Sequence, residues 1–392
     1  MATFTLRRFT KQETLKSIQR EDLLALLGRY KKYFTDRGVI LESKPGEDLD
    51  YEGIARVLMD PDETTPPALV DDLFFVDEMA TPEGLDALRE EIAKLPPTQR
   101  KNLELGPDPT PADVAVKFRL YAPGILEKKH AESALDSKRS FWYFQPANGN
   151  GKPFQTPTDN QLGTLEAGLD DSFDQMKRGR NSKVYVFERP DDVWLLVRHG
   201  DPCERRGSLN ATESASVYYR PEVFDVIRYI RRTGELSISA GSYKKIYDLY
   251  REKIGLYLFD DALYFPVGKA KFTLDPLRTD GEKSIICSDI NGMESVVLKE
   301  VHYYWGGPEK EVEVRRASDL FKAFKRRNWT IPENARISKA KFEVKFSDSK
   351  SKRIVAITNF NNASFTRDSD ASVVEAWLTE RKFALVAVEA NA

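Results

Sequence analysis

Lysine and arginine crowd one stretch of this 392-residue chain. From Arg315 to Arg353 there are 13 basic residues against four acidic ones, Asp319, Glu333, Glu343 and Asp348. Lys322, Lys325, Arg326 and Arg327 form a first group, and Arg336, Lys339, Lys341, Lys345, Lys350, Lys352 and Arg353 a second. Such clusters meet phosphates, with an affinity that falls steeply as salt rises. Trp329 stands between the groups, a position suited to stacking on a base or an arginine. The opposite charge gathers near the start: Glu47 to Glu91 holds 15 acidic residues and only two basic ones, Arg56 and Arg89. With a formal net charge of only −2, the informative feature is this segregation. It is expected of an internal contact, of protein partners at each patch, or of a nucleic-acid face at the basic end.

Two short motifs carry a different chemistry. Leu196-Val197-Arg198-His199-Gly200 resembles the Arg-His-Gly signature of the histidine phosphatases. That resemblance implies that His199 takes the phosphoryl group while Arg198 holds the phosphate. The family places the motif at the start of its domain and has a second histidine far downstream, whereas here the only later histidine is His302. Glu343-Val344-Lys345 resembles one half of a PD-(D/E)xK nuclease site. The resemblance implies a metal-binding role for Glu343 and a water-steadying role for Lys345. The second carboxylate would have to come from Glu333 or Asp319. Asn148-Gly149-Asn150-Gly151-Lys152-Pro153 has the glycines of a phosphate loop but not the G-x-x-x-x-G-K-[ST] spacing, and a proline follows its lysine. Three separated histidines and two cysteines without metal-ligand spacing give no expected metal or cofactor.

The elements that position these residues are legible in the pattern. Phe224 to Ile254 reads as two strands about the turn Thr233-Gly234, followed by a helix that Ser242 would cap. Tyr243, Ile246, Tyr247, Tyr250 and Ile254 line one face of that helix. A hairpin alone is marginal in water, so a helix over its apolar face is the expected completion. The same ββα unit is expected twice more: Ser295–Trp305 with Glu311–Arg315 and a helix capped by Ser318, then Arg336–Phe346 with Arg353–Thr358 and the helix Asp370–Lys382. Upstream, Val184–Phe187 and Val193–Val197 form another hairpin, Leu162–Met176 a helix, and Phe141–Phe144 an aromatic strand. Gly200 to Ser216 reads as a polar loop.

Residues 1 to about 130 read as mainly helical. Leu23, Leu24, Leu27, Tyr30 and Phe34 form one stripe that Gly38 ends. Tyr51–Met59, Pro82–Leu95, a helix opened by Thr110-Pro111 and another over Leu126–Leu135 follow. The fold class is therefore α+β, with domains at 1–140 (helical), 141–290 (antiparallel meander) and 291–392 (basic ββαββα). No apolar run nears the roughly 20 residues of a membrane span. The free-cysteine usage suits a reducing cytosol. Together these describe a cytoplasmic, non-enzymatic subunit of a multi-protein assembly that binds nucleic acid, or an acidic partner, through its basic region, in prokaryotic genome defence or DNA processing. The alternative is a metal-dependent nuclease built on Glu343 and Lys345.

Overall fold

The computed structural model describes residues 8–41, 48–147, 152–210, 213–241, 244–367 and 370–385. The chain divides into two compact units, residues 1–133 with 209–215, and residues 134–208 with 216–392.

The first unit is helical. Its helices are α1 (Gln12–Lys16), α2 (Arg20–Gly28), α3 (Lys31–Thr35), α4 (Tyr51–Met59), α5 (Pro67–Met79), α6 (Pro82–Lys94), α7 (Pro97–Arg100), α8 (Pro111–Tyr121) and α9 (Pro123–Ser137). Proline starts α5, α6, α7 and α8, where its missing N–H is no loss. Thr81 and Thr110 accept bonds from the backbones of Gly84 and Asp113. α8 is buried from Ala112 to Phe118 and packs against α2, α5 and α6, so it is the axis of this unit. The stripe from Leu23 to Phe34 is two helices, because the chain turns at Arg29-Tyr30.

Five of the 15 acidic residues of the acidic segment are engaged within this unit. Asp50 caps α4. Asp72 lies 2.6 Å from Arg119 and accepts from the Tyr30 hydroxyl at 2.7 Å. Asp62 meets Arg37, Asp77 meets Arg8, and Glu91 meets Lys94 and Lys129. Burial and the adjoining Asp72 carboxylate push the Tyr30 hydroxyl pKa up.

The second unit is built on one long sheet. In chain order it contains β1 (Ser140–Phe144), α10 (Asp159–Gln175), β2 (Lys183–Glu188), β3 (Asp192–Gly200), β4 (Glu204–Asn210) and β5 (Glu213–Tyr219) apart from their 209–215 end, β6 (Glu222–Ile230), β7 (Glu235–Ser239), α11 (Lys244–Phe259) and α12 (Pro276–Thr279). There follow β8 (Met293–Gly306), β9 (Glu311–Arg316), α13 (Leu320–Arg327), β10 (Arg336–Phe346), β11 (Lys352–Thr358), β12 (Asn362–Ser364) and α14 (Ala371–Glu380). Ten strands pair in the order β2-β3-β6-β7-β1-β12-β11-β10-β8-β9, and each neighbouring pair in this order is antiparallel. β4 and β5 make a separate two-stranded ribbon where a polar loop was expected.

The fold is thus α+β, helical first and then rich in hairpins followed by helices. The division expected near 290 is not a break in the fold: β1 of the meander pairs with β12 of the basic region, and one sheet runs through both. Asp319, not Ser318, caps α13 by accepting from the Lys322 backbone, since only its carboxylate sits at the start of the first turn. Ser242 lies outside the described residues.

Register decides which side chains share a face, because opposed residues of an antiparallel pair point the same way. One row runs Ile238, Trp142, Asn362, Thr358, Lys339, His302 and Val314 across β7, β1, β12, β11, β10, β8 and β9. The neighbouring row on the other face runs Phe141, Ala363, Ile357, Ala340, Val301 and Arg315.

Helices α10 and α11 cover the first face only at its β2–β7 end. There Leu165, Leu169, Phe173, Ile246, Tyr250 and Ile254 pack on Val193, Leu195, Val197, Ile227 and Ile238. α14 covers the second face at the other end, with the Trp377 ring edge-on to Phe342 and close to Phe383. The first face is left uncovered by these helices from β12 to β9. Ile354, Val312 and Val314 stand about half exposed on it.

Candidate nucleic-acid interface

The uncovered face owes its chemistry to strict alternation in β10. Ile337, Ala340, Phe342, Val344 and Phe346 are buried toward α14, which sends Lys341, Glu343 and Lys345 to the open side. β8 contributes Glu300 opposite Lys341 and His302 opposite Lys339. Between the pairs Lys341/Glu300 and Phe342/Leu298, β8 carries one extra residue, Lys299, a bulge that places its amine 3.5 Å from Glu343. β11 adds Lys352 opposite Lys345, and β9 adds Arg316 opposite Glu300. Arg336 lies over the rings of Tyr304 and Phe360 at 4.9 and 5.2 Å.

The charges on this face interlock without cancelling. Glu300 receives Arg316 at 2.5 Å, Lys341 at 3.1 Å and His302 at 2.7 Å. Glu343 receives Lys352 at 2.9 Å, and Glu294 receives Lys345 at 2.6 Å. Seven cations, Lys299, Arg316, Arg336, Lys339, Lys341, Lys345 and Lys352, therefore meet three carboxylates, Glu294, Glu300 and Glu343. Lys339 has no ion-pair partner among the described residues. The more exposed pairs, Lys345 with Glu294 and Lys352 with Glu343, are worth only about 0–1 kcal/mol each, so those two lysines exchange a carboxylate for a phosphate at little cost.

Burial would raise the Glu300 carboxyl, but hydrogen bonds from His302 and Lys341 and the charges of Lys341 and Arg316 outweigh it and hold the pKa at about 2. A carboxyl depressed in the fold contributes stability above its ordinary pKa of about 4.3 and loses it as pH falls toward 2. Glu300→Gln is expected to flatten the stability–pH curve between about pH 4.5 and 2. Solvent reaches the contact through its cations, with Arg316 67% exposed and Lys341 32%, and this screening limits the difference at neutral pH to about 1–2 kcal/mol. Urea unfolding across that pH range checks it; an unchanged slope would contradict the assignment.

The rest of the basic stretch lies elsewhere, which corrects the expectation of one continuous patch. Adjacent strand residues point to opposite faces, so Arg353 beside Lys352 faces α14 and meets Asp370 at 2.8 Å. The α13 group belongs to that second face as well. Arg315 opposes Val301, and its guanidinium lies over both the Tyr303 and the Trp329 rings. Arg327 is 4.7 Å from the Trp329 ring, so two arginines already attend the indole expected to take a base. Lys322 meets Asp319 and Lys325 meets Glu282. A cleft of about 820 Å³ beside Trp329 is lined by Phe324, Ile331 and Lys325 but also by Asp280, Glu282 and Glu333. Lys350 sits in the turn between β10 and β11.

Neither catalytic resemblance acquires its geometry. Glu343 faces Lys352 and Lys299 rather than a second carboxylate. Asp319 is spent as a helix cap, and Glu333 lines the cleft beside Trp329. Among the described residues no three His, Cys, Asp or Glu side chains gather as a metal site. His199 is buried, with Nε2 2.9 Å from Asp225, Nδ1 2.8 Å from the Gly200 carbonyl, and its ring stacked on Phe173. The shallow hollow beside it contains Arg198 and Arg220, but Arg198 pairs with Glu222 and Arg220 donates to the carbonyls of Lys177 and Asp201. The glycines of the expected phosphate loop, 149 and 151, lie outside the described residues.

Reading the sequence missed Lys299, Arg316, Glu300 and Tyr304, because they join β10 only through strand pairing. The strong period-2 pattern of β10 was the available signal. No protein-family model matches the chain, and no curated protein matches it.

Proposed function

We propose that this chain is a non-catalytic cytoplasmic component of a protein assembly, and that the uncovered face of β9-β8-β10-β11 holds a nucleic-acid strand by its phosphates. One observation carries the reading: cations from all four strands outnumber carboxylates on a single exposed sheet surface, with Lys339 unengaged on it. Four strands at about 4.8 Å spacing give a platform about 14 Å wide between its outer strands. Arg336 lies over Tyr304 and Phe360, so the guanidinium, and not those rings, is what this corner offers to a phosphate or to the face of a base. The flat, partly apolar surface, with Ile354, Val312 and Val314 exposed, favours a single strand, whose bases are free to lie on it.

Titration of a labelled single-stranded oligonucleotide tests this. The association constant is expected to fall linearly on a log–log plot between about 50 and 200 mM salt. The slope should be about −0.7 for each phosphate held, so about −2 to −3 for three or four contacts. Binding that does not change over that range, or no binding at low salt, overturns the proposal.

A further inference from the structure

The row that contains Lys339 does not end at the basic strands. It continues through Thr358 and Asn362 to Trp142 in β1, three strand spacings or about 14 Å away. Trp142 is where the α11 cover begins, and a cleft of about 510 Å³ opens there. That is within the range of small-ligand pockets. Trp142, Phe144 and Tyr247 form aromatic walls, with the Trp142 and Tyr247 rings tilted against each other at 5.8 Å. Lys244, the first residue of α11, and Asp248, one turn later, stand at the rim. Lys244 has no ion-pair partner among the described residues. Asp248 receives Arg251 on one oxygen only. Asn361 is fixed, its carbonyl accepting from the Lys271 backbone and its amide donating to the Lys269 carbonyl.

We infer that this cleft receives one unpaired nucleobase of the strand lying on the open face. The inference rests on the nucleic-acid reading above. Aromatic walls take the π-face of any base, and such stacking is sequence-tolerant. The unpaired Asp248 oxygen is an acceptor for an exocyclic amino group, which adenine and cytosine carry and uracil lacks. Lys244 is placed for the phosphate that follows the base. An apolar peptide side chain would fill the walls but leave the rim carboxylate and amine without a partner of their own size.

The test uses the full chain labelled with 5-fluorotryptophan, whose five tryptophan resonances are assigned through single Trp→Phe variants. Adenosine 5′-monophosphate is titrated against ribose 5-phosphate as the baseless control. The expected result is a shift confined to the Trp142 resonance with adenosine monophosphate, and binding at least about fivefold tighter than the control, the low end of base–aromatic stacking. Lys244→Ala, an exposed change, should weaken both probes and leave that preference intact. Equal binding of the two probes, or a shift at Trp329 with none at Trp142, overturns the inference. The oligonucleotide titration separates the two claims: salt-dependent binding of the strand with a silent Trp142 sinks the cleft alone, whereas loss of strand binding sinks both.

Discussion

Trp377→Ala is expected to cost about 3–5 kcal/mol, the range for emptying a buried tryptophan site. The indole is completely buried under α14 and contacts Phe342 and Phe383, the pair that fastens this helix and the chain after it to the sheet. With a urea dependence of about 1–3 kcal/mol per molar, the midpoint should fall by about 1 M or more. Hydrogen exchange of the β10 and β11 amides should report it, since Phe342 belongs to β10. Trp377→Phe provides the discriminating comparison. The indole Nε1–H has no hydrogen-bond partner among the described residues, so phenylalanine loses volume but no bond. It should cost clearly less than alanine; equal losses would mean that the packing account of α14 is wrong.

The second large effect belongs to Asp225. One of its oxygens takes both the His199 ring at 2.9 Å and the Tyr250 hydroxyl at 2.9 Å, and all three side chains are buried between the sheet and the α10–α11 cover. Burial and the neighbouring carboxylate drive the Tyr250 hydroxyl pKa far up, so it remains a donor at every accessible pH. Asp225→Ala strands the histidine and the tyrosine at once. Each buried polar group left without its partner costs about 1–3 kcal/mol, so the two together put the loss at about 2–6 kcal/mol. Asp225→Asn keeps an acceptor for Tyr250 and should retain a substantial part of that stability. Thermal and urea unfolding of the two variants check this, and an alanine variant within about 1 kcal/mol of the parent would contradict it. The outcome also bears on the Arg-His-Gly resemblance, because it assigns His199 to the core rather than to phosphoryl chemistry.

These two sites show what the residue pattern reveals and what it withholds. The ββα succession was legible, because period-2 and period-3.6 patterns alternate cleanly from Glu222 to Glu380, and β10 spans the expected Arg336–Phe346. The separation of Lys352 from Arg353 follows from alternation alone, since neighbours in a strand cannot share a face. Which strands pair is a different matter. β1 joins β12 across 222 residues through contacts such as that of Ser140 with Asn362, and no local pattern encodes such a partner. That long-range pairing turns two apparent domains into one sheet and sets Trp142 in line with Lys339. The α5 helix was not expected, because paired prolines such as Pro66-Pro67 suggest a break, although the second of them is a helix start. The β4–β5 ribbon was hidden by its polarity: Ser208, Asn210, Ser214 and Ser216 resemble loop composition.

The central claim is that one face of the sheet, and not the other, holds the strand. Two alanine variants compared in the same oligonucleotide titration at low salt test it most directly. One removes Lys339, Lys341, Lys345 and Lys352 from the open face; the other removes Lys322, Lys325, Arg326 and Arg327 from α13. The account predicts that the first loses binding, with Glu300 and Glu343 then uncovered to repel phosphates, and that the second retains both affinity and salt slope. Retention in the first variant with loss in the second would place any phosphate contact on the α13 side and contradict the account.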